Sequence, residues 1–490
     1  MDRKWVTLSN TSVGTFMAVL DSSIVLISLP TIGRELPGAS SGVLLWVVLS
    51  YNLVTTTLLL SFGRLSDMFG RVRLYTLGFA IFTIGSGLSS LAPSGGALLV
   101  FRVVQGVGAG FLASNSAAIL TDAFPPNERG RALGINQVAA ISGSVLGLVL
   151  GGVLTTSLGW RSIFWVNIPV GIFGTIWAHA QLRELHPREA HARIDWSGNV
   201  TFGVGLTSVL VAVTLGALIG WTDPFVLTLL VLGPVLLAAF VLLERRAREP
   251  MFDVRLFRIR TFLIGNLAAA LAALARGAFS FMIVFYFQGI LFLSAERSGI
   301  LLLPLGVAFG IVGPIAGITS DRTGARFLGT AGLILSALGF ALLLQFPANG
   351  PYPLLAAAMV LLGAGQGMFA APNRAEVMSS VPAARRGIAA GTGTTFLNGG
   401  NLGSLALGFA VLAGVVPAAT LAAVFAGQSI SGGVDVHAFM DALHALFGIG
   451  LGLTLAAAFT NMLRGQRQIP KEISPRDALP PVAAPAVNVD

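Results

Sequence analysis

Most of the chemistry available to this chain rests on four charged side chains that lie inside long apolar segments. They are Asp21, Arg102, Arg276 and Arg374. Asp21 is about twelve residues into its segment, or roughly 18 Å along a helix, which is near the middle of a bilayer. A carboxyl at that depth can be neutral while it holds a proton and charged when water reaches it. Residues of this type at this depth indicate proton binding and release.

Arg276 lies 255 positions after Asp21, at nearly the same depth in its own segment. Opposite charges at one depth could pair across a central cavity, and the pair would form or loosen as Asp21 loses or gains its proton. Two alternatives stay open. Asp21 could form a permanent salt bridge that serves folding alone, or Arg276 could be held by backbone carbonyl groups and never meet Asp21.

Two short charged turns, at 63–73 and 317–326, share the pattern G-x-x-x-D-x-x-G followed by basic residues. The candidate gate residues in them are Gly63, Asp67, Gly70, Arg71 and Arg73 in the first turn, and Gly317 and Asp321 in the second. The glycines allow a tight turn, and Asp67 can cap the next helix or accept hydrogen bonds from Arg71. Ala325 stands where the first turn has Arg71, so we expect the first turn to be the stronger contact.

The elements that carry these residues are set by composition. Of 490 residues, 54% are hydrophobic and 10% are charged, and the mean hydropathy is +0.83. A soluble domain has about 25% charged residues, so we predict an all-α polytopic membrane protein. The chain has no cysteine, and its five histidines form no metal-ligand pattern, which excludes disulfides and predicts no metal site.

Fourteen apolar stretches of about 20 residues, the length that crosses a bilayer as a helix, follow one another along the chain. Of the 30 Lys and Arg residues, 24 fall on the side that holds both termini and three on the other. Basic residues concentrate in cytoplasmic loops. Both termini are therefore predicted to be cytoplasmic, and the net charge of +9 is explained without a nucleic-acid partner.

A wider repeat links the two charged turns, because Gln105-Gly106 and Asn115 recur as Gln366-Gly367 and Asn373. Such duplication is typical of secondary transporters. We predict a six-helix bundle over 1–182, a two-helix insertion with cytoplasmic linkers over 183–260, a second six-helix bundle over 261–464 and a disordered cytoplasmic tail over 465–490.

Three segments resemble the major facilitator superfamily, and within it the fourteen-helix drug–proton antiporter branch. The turn at 63–73 is similar to the superfamily signature between its second and third helices. The segment RVVQGVGAG at 102–110 resembles the fourth-helix signature, and LDSSIVLISLP at 20–30 resembles a first-helix motif of the branch. The resemblance implies the major facilitator fold, with two six-helix bundles related by pseudo-twofold symmetry plus two inserted helices.

The resemblance also implies roles for individual residues. Arg102 would take part in proton handling, and the first charged turn would form a cytoplasmic gate in which Asp122 pairs with Arg71. A glycine series similar to the antiporter signature lies in the fifth helix and comprises Gly143, Gly147, Gly151 and Gly152. Three of them are spaced by four, so they share one helix face and allow close helix packing.

Further candidates lie in the second half of the chain. We expect Glu376 to close an ion pair within that half as part of the gate. Phe281, Phe285 and Gln288, beside Arg276, and Asn398 are candidates to line an apolar cavity for lipophilic substrates.

The predicted function is export of hydrophobic or cationic small molecules by proton antiport and alternating access, as in multidrug efflux. The protein is predicted to be a monomer in the bacterial cytoplasmic (inner) membrane. The alternatives are an exporter of a lipid or endogenous metabolite, an importer, or a transport-inactive sensor or scaffold. The sequence contains no G-x-x-x-x-G-K-S/T loop and no nucleophile–base pair. Neither an enzyme, nor ATP-driven transport, nor a cofactor is therefore predicted.

Overall fold

The computed structural model describes residues 2–125, 128–185, 195–246, 252, 254–348, 350–382, 386–417 and 436–464. For residues 60, 129–131, 321–322 and 386–387 the description covers the backbone alone. The predicted tail at 465–490 lies outside the described residues.

Every regular element in the described part of the chain is helical. The first nine helices are α1 Arg3–Glu35, α2 Ser41–Phe69, α3 Arg71–Ser90, α4 Gly95–Ala123, α5 Arg129–Leu158, α6 Ser162–Trp165, α7 Asn167–Gln181, α8 Trp196–Ile219 and α9 Pro224–Arg246. After a 3₁₀ turn at Val254–Arg258 come α10 Arg260–Phe285 with a π-helical turn at Tyr286–Ile290, α11 Ala295–Leu301, α12 Leu303–Thr323, α13 Ala325–Leu343, α14 Tyr352–Ser379, α15 Arg386–Val415 and α16 Val436–Met462.

Three spans are broken into consecutive pieces, namely α6 with α7, α10 with its π turn, and α11 with α12. The described residues thus contain 14 helical segments that are long and apolar enough to cross a membrane. Hydrocarbon offers no partner to a backbone N–H or C=O, so each segment satisfies these groups internally as a helix. The predicted fold class is confirmed.

The glycines of α5 pack against α1, as their spacing predicts. A Cβ on Gly147 would lie 2.8 Å from the carbonyl oxygen of Leu20, and a Cβ on Gly151 would lie 2.9 Å from that of Ile24. Gly143 also lies close to the backbone of α1. Side chains at these positions would force the two helices apart, so the glycines set the α1–α5 distance.

A different face of α5 shows how the two halves of the molecule meet. Gly152 lies against the backbone of Ala295, and Leu148 lies against Gly299. Ala295 and Gly299 belong to α11. One turn before Leu148 on α5, Val145 continues the contact between the halves. Residues 152, 148, 145 and 141 recur every three or four positions and so share this face.

The same face continues toward the side where α1 begins and α16 ends, which we name the terminal face of the molecule. Here Val138 is 50% exposed, and a Cβ on Gly134 would meet no atom within 4 Å. On the opposite, distal face, Gln288 Nε2 donates a 2.8 Å hydrogen bond to the carbonyl of Ile27 and joins the π turn to α1. The cleft between the halves is therefore closed at the distal face and open along α5 toward the terminal face.

Helices α8 and α9 form a hairpin that contacts both halves. Asn199 of α8 accepts a hydrogen bond from Ser61 of α2. Beyond α9, the rings of Phe252 and Phe257 lie 6.1 and 5.7 Å from the ring of Phe396 in α15. The hairpin and its linker thus contact α2 on one side and α15 on the other.

Candidate functional site

Between α1, α4 and α7 lies a carboxylate whose two oxygens are both hydrogen-bonded. Arg102 Nη1 donates to Oδ2 of Asp21 at 2.5 Å. The other oxygen, Oδ1, accepts 2.8 Å hydrogen bonds from Gln105 Nε2 and Asn167 Nδ2. The side chains of Asp21 and Arg102 are 0% and 1% exposed. The pair is thus removed from solvent, and its charges are met by protein groups alone.

The guanidinium of Arg102 is held from three directions. Its Nη1 donates a 2.7 Å hydrogen bond to Oε1 of Gln105, and its Nε donates to the carbonyl of Val47 at 3.3 Å. Its Cζ lies 4.2 Å from the centre of the Tyr51 ring, within cation–π range. Arg102 and Gln105 are three residues apart on α4, so they share a helix face and reach Asp21 together.

The amide of Asn167 is fixed in turn by α3. Its Nδ2 lies 3.2 Å from Ser86 Oγ, and that hydroxyl donates to the carbonyl of Phe164 at 2.9 Å. Gln105 and Asn167 were not among the site residues predicted from the sequence. The signal that could have predicted them is a carboxamide side chain inside an apolar span. Burying an unpaired amide there costs free energy, so such a side chain is expected to have a hydrogen-bond partner.

The structure gives Asp21 a partner in the first half of the chain and not in the second. Asp21 shares a face of α1 with Gly14, which packs against Tyr75 of α3, so this face turns into the α3–α4–α7 side and away from α10. The hypothesised pair between Asp21 and Arg276 is therefore absent from this conformation. The carbonyl alternative is not formed either, because Arg276 Nε is buried without a hydrogen-bond partner.

The first charged turn joins three helices of the first half. Arg71 Nη1 donates to both carboxylate oxygens of Asp122, at 2.9 and 2.8 Å, and Arg71 Nε donates to Asp67 at 2.9 Å. The expected contact between Arg71 and Asp122 is thus present. It links α3 to α4, and Asp67 links α3 to the end of α2. All three residues belong to one half, and their role as a gate stays a prediction.

Gly70 is the hinge between α2 and α3, and it has a φ of 110°, a conformation that favours glycine. Glu184, just beyond α7, accepts a 3.0 Å hydrogen bond from the backbone N–H of Arg73 and so caps the start of α3. Glu184 was not predicted from the sequence, because a charged residue just beyond a helix end is expected to be solvated. Gly63 has open space around it, and the side chain of Arg73 is exposed.

The second turn repeats the backbone of the first. Gly324 has a φ of 82° and separates α12 from α13, as Gly70 separates α2 from α3. Gly317 faces Ala371 of α14. The side chain of Asp321 lies outside the described part of the chain, so its role as a gate residue stays a prediction.

Glu376 forms an ion pair within the second half, with Arg464 at 2.6 Å. Arg464 also donates to the side-chain oxygen of Asn373. Arg464 follows α16 and was predicted to be a loop residue, but its side chain is 0% exposed. Burial lowers the pKa of Arg464, and the Glu376 carboxylate opposes that effect.

The candidate cavity residues are packed in this conformation. Phe281 and Phe285 are 0% exposed, with ring centres 5.0 Å apart. Gln288 is 5% exposed and bonded across to α1, whereas Asn398 is half-buried. Phe281, Phe285 and Gln288 therefore belong to the distal closure here, and a substrate-lining role for these residues and Asn398 stays a prediction for other conformations.

A model of the Major Facilitator Superfamily matches residues 11–405. The riboflavin transporter RibZ of Clostridioides difficile is 35% identical over 393 residues, which cover 79% of this chain and 83% of that protein. The multidrug resistance protein Stp of Mycobacterium tuberculosis is 34% identical, covering 84% and 76%. The puromycin resistance protein pur8 of Streptomyces alboniger is 32% identical, covering 88% of each.

Solved structures show the same fold. The xylose transporter XylE from E. coli, in an inward open conformation, has a TM-score of 0.58 at 16% identity and covers 93% of this chain and 95% of its own. A bacterial homolog of the human lysosomal transporter Spinster has a TM-score of 0.63 at 18% identity, covering 94% and 96%. At these identities the likeness concerns the fold alone.

Proposed function

Because the chain belongs to the major facilitator superfamily, we propose that it is a proton-coupled exporter of hydrophobic small molecules that works by alternating access. It is a multi-pass membrane transporter and not an enzyme. In this proposal the terminal face is the cytoplasmic face of a bacterial inner membrane, as the excess of basic residues on that side favours. The open cleft then accepts substrate from the cytoplasm.

The observation that carries the proposal is the buried contact between Asp21 and Arg102. Protonation of Asp21 would remove the charge that Arg102 neutralises, so proton binding would change the contact between α1 and α4. Helix α1 also packs on α5, and α5 lies on the boundary with the second half. A proton on Asp21 can therefore bias the position of the elements that close the cleft.

The names of the relatives support drug export, since two of those compared are resistance proteins. A second candidate is transport of an endogenous metabolite, which the similarity to a riboflavin transporter favours. The sequence predicted that cationic compounds are among the substrates, and the described residues give no support for cation binding. Asp21 is the carboxylate deepest in a described span, and both of its oxygens are already bonded.

The test is proton flux in proteoliposomes that contain a pH-sensitive dye. Addition of a transported compound should dissipate an imposed proton gradient with the unaltered protein and fail to do so with Asp21→Asn. Asp223→Asn is the matched control, because Asp223 is an acid in the α8–α9 connection and lies outside the network. Proton-coupled transport retained by Asp21→Asn would contradict the proposed mechanism. Riboflavin and lipophilic drugs in the same assay distinguish the two substrate classes.

A further inference from the structure

Arg276 is a cation in the middle of α10 that has no hydrogen-bond or ion-pair partner among the described residues. Its Nε is buried, and it has no hydrogen-bond partner. The residue as a whole is half-buried, so part of its guanidinium is accessible to water. By contrast, Arg102 and Arg464, whose side chains are 1% and 0% exposed, each have a carboxylate beside them.

Arg276 lies on the side of α10 opposite to an exposed leucine. Leu267 is 41% exposed, and Arg276 follows it by nine residues, or about two and a half turns, on the other side of the helix. Its neighbour Gly277 packs against Ser404 of α15. Since α10 also contacts α1 of the other half, the remaining face of α10 borders the cleft between the halves.

No acid of the described protein is placed to neutralise Arg276. Asp21 was the sequence-based candidate, but Arg102, Gln105 and Asn167 occupy its two oxygens. An arginine in a membrane span is matched by a counter-charge or by water in a cavity. Part of Arg276 is accessible in this conformation, and a counter-charge would be needed once the cleft closes.

We propose that Arg276 binds the substrate, and that the substrate is an apolar molecule with an anionic oxygen group, such as a carboxylate, sulfonate or phosphate. This rests on the proposed transport function and replaces the proton-coupling role first given to Arg276. A guanidinium offers a planar fork of N–H donors that fits such groups. Arg374 of α14 is a second cation, exposed near the terminal face.

The test compares two dyes that share one aromatic skeleton. Anilinonaphthalene sulfonate carries the anion, and N-phenylnaphthylamine lacks it. Binding is measured by fluorescence titration of the full-length protein in lipid nanodiscs, after subtraction of empty nanodiscs. We expect tighter binding of the sulfonate by the unaltered protein, and a loss of about tenfold to a hundredfold with Arg276→Gln, the range for one charge-assisted hydrogen bond. Binding of the neutral dye should be unchanged.

Two further variants separate a site from a general effect of charge. Arg276→Lys keeps the charge without the fork and should give an intermediate affinity for the sulfonate. Arg246→Gln removes an exposed arginine at the end of α9 and should leave both affinities unchanged. Equal binding of the two dyes by the unaltered protein, or an equal loss of both with Arg276→Gln, would overturn the proposal.

The same preparations also distinguish this proposal from the proposed function. Sulfonate binding that depends on Arg276, in a protein that moves neither dye nor protons in proteoliposomes, would support the site and contradict transport. Proton-coupled efflux of the neutral dye at equal rates in the unaltered protein and in Arg276→Gln, with no preference for the sulfonate, would support transport and contradict the site.

Discussion

Removing Asp21 alone should cost more unfolding free energy than removing Asp21 and Arg102 together. In the unaltered protein, the Asp21 carboxylate lies 2.5 Å from Arg102, whose side chain is only 1% exposed. In Asp21→Asn, the charge of Arg102 therefore stays buried without its carboxylate. Breaking a buried pair in this way costs about 3–5 kcal/mol of unfolding free energy. The new amide keeps the shape of the carboxylate, so packing contributes little to the difference.

The two single variants should differ because only one of the two charges can be neutralised by a proton. In Arg102→Gln the remaining Asp21 can take up a proton and become neutral, whereas a guanidinium cannot lose one. We expect Arg102→Gln to cost about 1–3 kcal/mol, the penalty of a buried hydrogen bond left unmade. Its deficit should shrink as the pH is lowered.

The assay is a double-mutant cycle on the reconstituted protein, with unfolding followed by fluorescence as denaturing detergent is added to mixed micelles. The double variant Asp21→Asn with Arg102→Gln should cost less than Asp21→Asn alone. Costs that add up within about 0.5 kcal/mol would show that the two residues do not interact, and the account of the site given above would then be wrong.

Three further predictions concern packing and the charged turns. Gly147→Val should abolish folded protein in size-exclusion profiles because the side chain meets the α1 backbone, whereas Gly134→Ala, on the open stretch of the same helix, should fold normally. Arg71→Lys should slow dye efflux several-fold, since one ammonium cannot bridge two carboxylates as the guanidinium fork does; an unchanged rate would contradict the gate role. Glu376→Gln should lower the unfolding free energy by about 3–5 kcal/mol in the same detergent titration, because it leaves buried Arg464 without its carboxylate.

The architecture followed from the sequence because it depends on averages over many residues. Hydropathy predicted the 14 spans, and the spacing of the α5 glycines by four predicted a face for close packing, which lies against α1 in the structure. The Arg71–Asp122 contact was available from the resemblance, since both residues lie at helix ends that the fold brings together. These features depend on which helix a residue occupies, and they depend little on how that helix is rotated about its own axis.

The partner of Asp21 could not be obtained in the same way. Depth along a helix can be counted from the sequence, and it placed Asp21 and Arg276 at one level. Rotation about the helix axis decides which neighbour a side chain meets, and Asp21 is turned toward Arg102. Glu184 and Arg464 were missed for a related reason, because both follow the ends of their helices, where a charged residue is expected to be solvated.

The α8–α9 hairpin restricts how a compound dissolved in the bilayer can reach the cleft. Two long seams run between the halves, one bordered by α2 and α15 and the other by α5 and α12. The hairpin lies over the first seam, held by Ser61 on one side and by the rings around Phe396 on the other. Among the described residues, the hairpin therefore covers that seam. In the proposed orientation, a lipophilic molecule in the inner leaflet would reach the cleft through the other seam, between the open stretch of α5 near Gly134 and the facing part of α12.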